Sequence, residues 1–204
     1  MTLPISNLIE QKESFFFCLD DVLYPEKDYL LQVYYLFAEF MAYTEQLDSK
    51  QIIACFKEEY EKNGSADIFD KIANAFNIDS KYRLNFDRLH ENARLPLKLL
   101  LYNDVLAVLQ EIAAKHKNIF IVAKGNMDIA INKIKQIEWN GLERSINLYF
   151  LDEYANNWNK LIEETLINTN EKLTDTLVIY DAAHPVNFFG DKICVTEILS
   201  IKNR

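Results

Sequence analysis

Three short stretches of this sequence carry residue types able to do chemistry, and each one closes an apolar run. Phe15 to Pro25 reads FFFCLDDVLYP, with Cys18, Asp20 and Asp21 close together. Ile121 to Asn126 reads IVAKGN, and Leu177 to Pro185 reads LVIYDAAHP, with Asp181 and His184. A carboxylate pair directly after a buried strand lies where ligands bind in open α/β sheets. Lys124-Gly125-Asn126 opens a helix, where exposed backbone N–H groups hold anions and Lys124 adds a full charge. Each stretch also has a plainer reading. Asp20 and Asp21 can end a strand and cap the turn before Pro25, Lys124-Gly125-Asn126 can be a glycine turn, and His184 can be a loop histidine.

Strands and helices must position these residues. FFFCL between Ser14 and Asp20 is an apolar run of the kind buried on both faces of a parallel sheet. From Glu26 to about Glu91 the pattern is helical. Tyr29, Leu30, Val33, Tyr34, Leu36, Phe37, Phe40 and Met41 recur at helical spacing, Ser49 reads as the N-cap of a second helix, and Asn63-Gly64 as its end. Ala66 to Phe76 and Lys81 to Asn92 read as two more. After Pro96 the types alternate: a helix over 104–116 capped by Asn103, then strands over 119–123, 145–151, 176–180 and 193–195, with helices over 127–136 and 159–169. Five strands joined by helices predict an α/β fold with a parallel sheet, interrupted by an all-helical block after the first strand.

Composition narrows the function. The chain has 204 residues, 50% apolar and 26% charged, enough to bury a sizeable core. Twenty-two basic against 31 acidic residues give a net charge of −9, which argues against nucleic-acid binding and against docking on an anionic membrane. The three cysteines, Cys18, Cys55 and Cys194, form no CxxC, so neither a disulfide framework nor a zinc knuckle is expected. The N-terminal stretch lacks a basic n-region and does not read as a signal peptide, and no apolar run approaches the roughly 20 residues of a membrane span. The expectation is a reduced, cytoplasmic protein.

Phe17-Cys-Leu-Asp-Asp-Val-Leu-Tyr24 resembles the first motif of the haloacid dehalogenase (HAD) superfamily, a strand ending in Asp-x-Asp. Ile121 to Asn126 resembles the second motif, and Val178-Ile-Tyr-Asp181 the fourth. The resemblance implies a Rossmann-like HAD core over residues 1–24 and 95–204, with strand order 5-4-1-2-3, and a helical cap domain over 25–94. It also implies a phosphatase-like or dehalogenase-like hydrolase that uses Mg2+ and an aspartyl nucleophile.

Several positions depart from that pattern. Cys18 stands at the nucleophile position, while Asp20 keeps the general acid/base position. Ala123 replaces the phosphate-contacting Thr, with Lys124, Gly125 and Asn126 following it. Tyr180 replaces a Gly, whereas Asp181, with Asp20, keeps a metal-binding position. The Lys of the third motif has no clear counterpart; Asn156, Asn157, Asn159 and Lys160 occupy its stretch. A Cys between Phe17 and Leu19 should remain a neutral thiol, because burial raises its pKa. The reading is therefore a HAD-like pseudoenzyme, catalytically impaired, with Mg2+ binding weakened or lost and a small phosphorylated or anionic ligand, or a partner, as occupant. An active Mg2+-dependent phosphomonoesterase remains the alternative.

The remaining candidates have no catalytic role in this reading. His90 and His116 sit near helix ends, where an imidazolium would meet the negative end of the dipole. The aromatic set Tyr29, Tyr34, Tyr35, Phe37, Phe40 and Tyr43 is mostly helix-face packing. It could instead line a pocket above the strand ends. Trp158 lies near the expected cleft and partly fills it. Cys55 and Cys194 read as small apolar fillers.

Overall fold

The computed structural model describes residues 5–199. The first four residues, part of the N-terminal stretch read above, lie outside the described residues. The chain divides into a sheet-bearing unit (residues 1–25, 100–130 and 137–204) and a helical unit (26–99 and 131–136).

The sheet is built from β1 (Ser14–Cys18), β2 (Asn118–Ala123), β3 (Ile146–Phe150), β4 (Thr176–Tyr180) and β5 (Asp191–Cys194). Their order is β3-β2-β1-β4-β5, and every neighbouring pair is parallel. This is the order the family resemblance implied. Phe16 lies opposite Phe120 on one side and Val178 on the other, and the Phe16 and Phe120 rings stack at 4.5 Å. Phe15, Phe17, Ile119, Ile121, Leu177 and Ile179 alternate with that set and are equally buried, so both faces are covered. Helix α8 (Trp158–Thr169) supplies Leu161, Ile162 and Leu166 to the Phe16 face. Each such side chain contributes about 1.5–3 kcal/mol by leaving water.

The sequence reading missed the first helix, α1 (Ile5–Gln11), where only Ile9 is buried and no apolar stripe announces it. Lys117 holds its end, with Nζ donating to the carbonyls of Ile9 at 2.8 Å, Lys12 at 2.6 Å and Glu10 at 3.2 Å. These satisfy carbonyls that a helix C-terminus leaves unpaired.

The helical unit contains α2 (Glu26–Glu45), α3 (Ser49–Asn63), α4 (Ile68–Phe76) and α5 (Arg83–Asn92). The cap of α3 is Asp48, not Ser49: the Asp48 carboxylate accepts from Lys50 N–H at 2.9 Å and Gln51 N–H at 3.3 Å. Asn103 is likewise the first residue of α6 (Asn103–Ala114) rather than its cap. Phe86 lies at the heart of an aromatic cluster, with ring centroids 5.2 Å from Phe37, 5.5 Å from Phe69 and 4.9 Å from His90. Of the aromatic set, Tyr29, Tyr34 and Phe37 are buried, whereas Tyr35 and Tyr43 are exposed. Helix α7 (Met127–Gln136) contributes its second half to this unit, where Lys133 pairs with Glu26 at 2.9 Å and sits 4.8 Å from the Tyr29 ring. No helix among the described residues is long and apolar enough to cross a membrane.

The expected imidazolium at His90 is corrected. Burial, with the Lys133 charge as a second cause, pushes its pKa down to about 4, so the ring is neutral. An unfolded histidine takes up a proton near pH 6.5, but His90 resists until about pH 4. The unfolded chain thus binds more protons in that window, and stability falls as pH drops through it. The loss should be on the order of 3 kcal/mol. Urea unfolding between those pH values should show that slope in the natural chain and a shallower one in His90→Gln.

Candidate active site

The parallel ladder places the carboxyl ends of β1, β2 and β4 side by side. The chain order turns at β1, and ligands bind at such switch points. Cys18 ends β1 opposite Val122, and Leu19 N–H donates to the Val122 carbonyl at 3.1 Å. Phe17 lies opposite Ile179, so Tyr180 and Asp181 follow at the same edge. Cys18 packs against the apolar cluster of the Phe16 face.

The charges around Cys18 are those of Asp181, Asp20 and Lys124. Burial pushes its thiol up to about 12, both carboxylates add to the rise, and Lys124 offsets it in part. At pH 7 only about one thiol in 10⁵ is then ionised. The structure therefore brings Cys18, Asp20, Lys124 and Asp181 into one electrostatic neighbourhood.

Asp20 and Asp181 are held by internal donors. The buried Tyr24 hydroxyl donates to Asp20 Oδ1 at 2.7 Å. The turn between them places Asp21 at φ 57° and returns its N–H to the Tyr24 carbonyl at 3.0 Å; Asp tolerates this left-handed conformation better than most residues. Asp181 Oδ2 accepts from Ala183 N–H at 2.8 Å and lies 3.6 Å from His184 Nδ1. The exposed His184 thus sits beside a site carboxylate.

The second stretch is also satisfied internally. Ala123 is buried and offers no hydroxyl. Gly125 N–H donates to Asp152 Oδ2 at 2.6 Å, and Asn156 Nδ2 donates to Asp152 Oδ1 at 3.2 Å. The Gly125 bond is the main reason the Asp152 carboxyl lies below its ordinary range; Asn156 and Lys124 contribute less. Asn126 caps α7, its side-chain oxygen accepting from Asp128 N–H at 2.8 Å and Ile129 N–H at 3.2 Å. The anion expected at this loop is therefore met by one of the protein's own carboxylates.

Sequence reasoning passed over Asp152. The criterion that singled out Asp20 and Asp181, a carboxylate directly after an apolar run, applies to it equally. In the third-motif stretch, Asn157 caps α8 by accepting from Lys160 N–H at 3.2 Å. Lys160 Nζ lies 3.8 Å from Glu164 on the same helix. The cation that Cys18 senses is Lys124.

Magnesium needs about six oxygen ligands in octahedral array. Here two carboxylates already accept internal hydrogen bonds, and the third group is a neutral thiol. Among the described residues no group of three or more His, Cys, Asp or Glu side chains is arranged to hold a metal ion. The donor set does not fit a magnesium centre.

No family model matches the chain, and no curated protein matches it in sequence. The fold does have solved counterparts. A hydrolase from Streptococcus pneumoniae TIGR4 is similar at a TM-score of 0.52 and 14% identity, over 95% of this chain and 96% of that one. YfnB of Bacillus subtilis, assigned as a HAD-hydrolase and bound to magnesium, gives 0.49 and 11% identity, over 84% and 81% of the two chains. An L-2-haloacid dehalogenase from Xanthobacter autotrophicus, with chloropropionic acid covalently bound, gives 0.44 and 12% identity over 82% and 69%. The likeness to the Streptococcus pneumoniae hydrolase shows a shared fold, and a shared fold leaves the chemistry to be argued from the site.

Cys18 should behave as an inert thiol. In iodoacetamide labelling near pH 8, followed by peptide mass mapping, Cys194 should be modified at least about 100-fold faster than Cys18. Comparable rates would show that the Cys18 sulfur is ionised or open to reagent.

Proposed function

We propose that this chain is a haloacid dehalogenase-type scaffold with a degenerate catalytic site. It is catalytically impaired and retained to bind a small anionic or phosphorylated ligand, or a partner, at the strand ends. The observation that carries the reading is Cys18. Nucleophilic catalysis on this scaffold needs an anionic attacking atom, and burial beside two carboxylates keeps this sulfur protonated. Two further features support it: Ala123 lacks the hydroxyl a phosphoryl group would use, and the Gly125 N–H is already engaged by Asp152. The helical unit stands where the superfamily carries its cap, and we assign it that role. A reducing compartment suits the three free cysteines, and we place the protein in the cytoplasm.

The test is turnover of p-nitrophenyl phosphate, with and without added magnesium, by the natural chain and by Asp20→Asn. Removing the nucleophile of a serine hydrolase costs on the order of 10⁶ in kcat, so the natural chain should not exceed background. Magnesium-dependent turnover that disappears in Asp20→Asn would overturn the reading and establish an active phosphomonoesterase. Cys18→Asp leaves Ala123 in place, so its activity is no part of the criterion.

A further inference from the structure

The two edges of the sheet are guarded unequally. At one edge, β5 exposes Asp191 and Lys192; Asp191 pairs with Lys12, and Lys192 Nζ donates to the Val186 carbonyl at 2.9 Å. Charged side chains of this kind keep an edge strand from pairing with another chain. At the other edge, β3 reads Ile-Asn-Leu-Tyr-Phe and carries no charge, proline or glycine. Its ladder runs to β2 alone among the described residues. Alternate backbone N–H and C=O groups of such a strand point away from the sheet, open to a further strand. Ile146, Leu148, Tyr149 and Phe150 are only half-buried and Asn147 is exposed, although Ile119 to Ala123 of β2 are all buried. An uncharged apolar edge of this kind is a ready template for strand addition.

The charges that flank β3 decide what fits it. Arg144 and Asp152, both exposed, stand at equal spacing before and after Leu148. Let a second copy run antiparallel beside β3, with Leu148 facing the partner's Leu148. Ile146 then faces the partner's Phe150, and Asn147 the partner's Tyr149. Aromatic and β-branched pairs of this kind stabilise a ladder. At each end of the ladder Arg144 of one chain meets Asp152 of the other. Asp152 already accepts from Gly125 N–H and Asn156 Nδ2, but a carboxylate has about four lone-pair sites, which leaves room for a guanidinium. Parallel pairing would instead set Arg144 beside Arg144 and Asp152 beside Asp152, and like charges placed opposite each other destabilise a ladder. A shift of register would separate both ion pairs.

We propose that β3 is a self-association edge: two copies of this chain pair antiparallel through Ile146–Phe150 about a two-fold axis at Leu148, with Arg144 and Asp152 of opposite chains joined at both ends. A two-fold contact uses the same strand on both chains, so assembly closes at a dimer. The charges on β5 keep the other edge out of it. This surface does not depend on the catalytic reading of the strand ends.

The test is sedimentation equilibrium of the full chain from about 5 to about 500 µM in about 0.15 M salt, where repulsion between the two acidic copies is screened beyond about 8 Å. A dimer with a Kd of about 100 µM or tighter is expected, as for a small transient interface. A chain that stays monomeric throughout overturns the proposal. Hydrogen exchange should be slower at the high end of that range in peptides covering Ile146–Phe150 and unchanged over Asp191–Cys194. Slowing over β5, or none over β3, places the contact elsewhere and equally overturns it. Asn147→Lys sets a charge on an exposed edge position, and Arg144→Glu sets like charges opposite Asp152; circular dichroism will verify both folds. Each should weaken the dimer at least about 10-fold, whereas Arg144→Lys should hold it within about 3-fold. A dimer that either folded variant leaves unchanged defeats the proposal.

Discussion

The central strand β1 is locked between two parallel neighbours, and its burial on both faces governs the fold and the site together. Phe15, Phe16 and Phe17 are fully buried, and the ladders to β2 and β4 fix their register. A strand held this way delivers its last residue to one place, beside Val122 and just before Asp20. The packing that stabilises the strand also partly buries Cys18, and this desolvation is the main cause of its raised thiol pKa. An aspartate here would have to ionise in this desolvated place, among carboxylates, and would need a cation or strong donors. A thiol accepts the same place by staying neutral. The neutral thiol and the stability of the strand thus have one physical cause.

Much of this was legible in the sequence, and particular residues show why. The FFFCL run, the IFIVA run and the TLVIY run are apolar on both parities, so they identified the buried strands without any alternation. The neutral thiol followed from the same fact, since Cys18 sits between Phe17 and Leu19. Boundaries were less legible because they rest on single hydrogen bonds. Asp48 and Ser49 are both good caps on paper, and only the chain's entry into α3 decides between them. Helix α1 escaped because it buries one residue and depends on Lys117, which is distant in sequence.

The electrostatics were less legible still, because they depend on tertiary proximity. His90 near a helix end looked like a cation meeting a dipole, but the side chains of Tyr29, Tyr34 and Phe86 surround it and desolvation dominates. Lys124 was read as an anion-binding group. It is also the positive charge that Cys18 and Asp152 both sense, a relation set by packing three strand ends together.

Asp20, Asp181 and Asp152 share an arrangement that bears on how such a site persists. Each carboxylate stands after a strand of the central sheet, where ligands bind in open α/β sheets. Each has acquired a donor from the chain itself: the Tyr24 hydroxyl, the Ala183 N–H and the Gly125 N–H, respectively. Carboxylates gathered in a chain of net charge −9 repel one another unless something offsets them. In a metal-dependent enzyme the cation does so; here the offset comes from backbone and side-chain hydrogen bonds, Lys124 and a neutral thiol. A site whose charges are already balanced has little electrostatic reason to recruit a cation. The sheet dictates the geometry of the strand ends, and each of these carboxylates finds its donor within the chain.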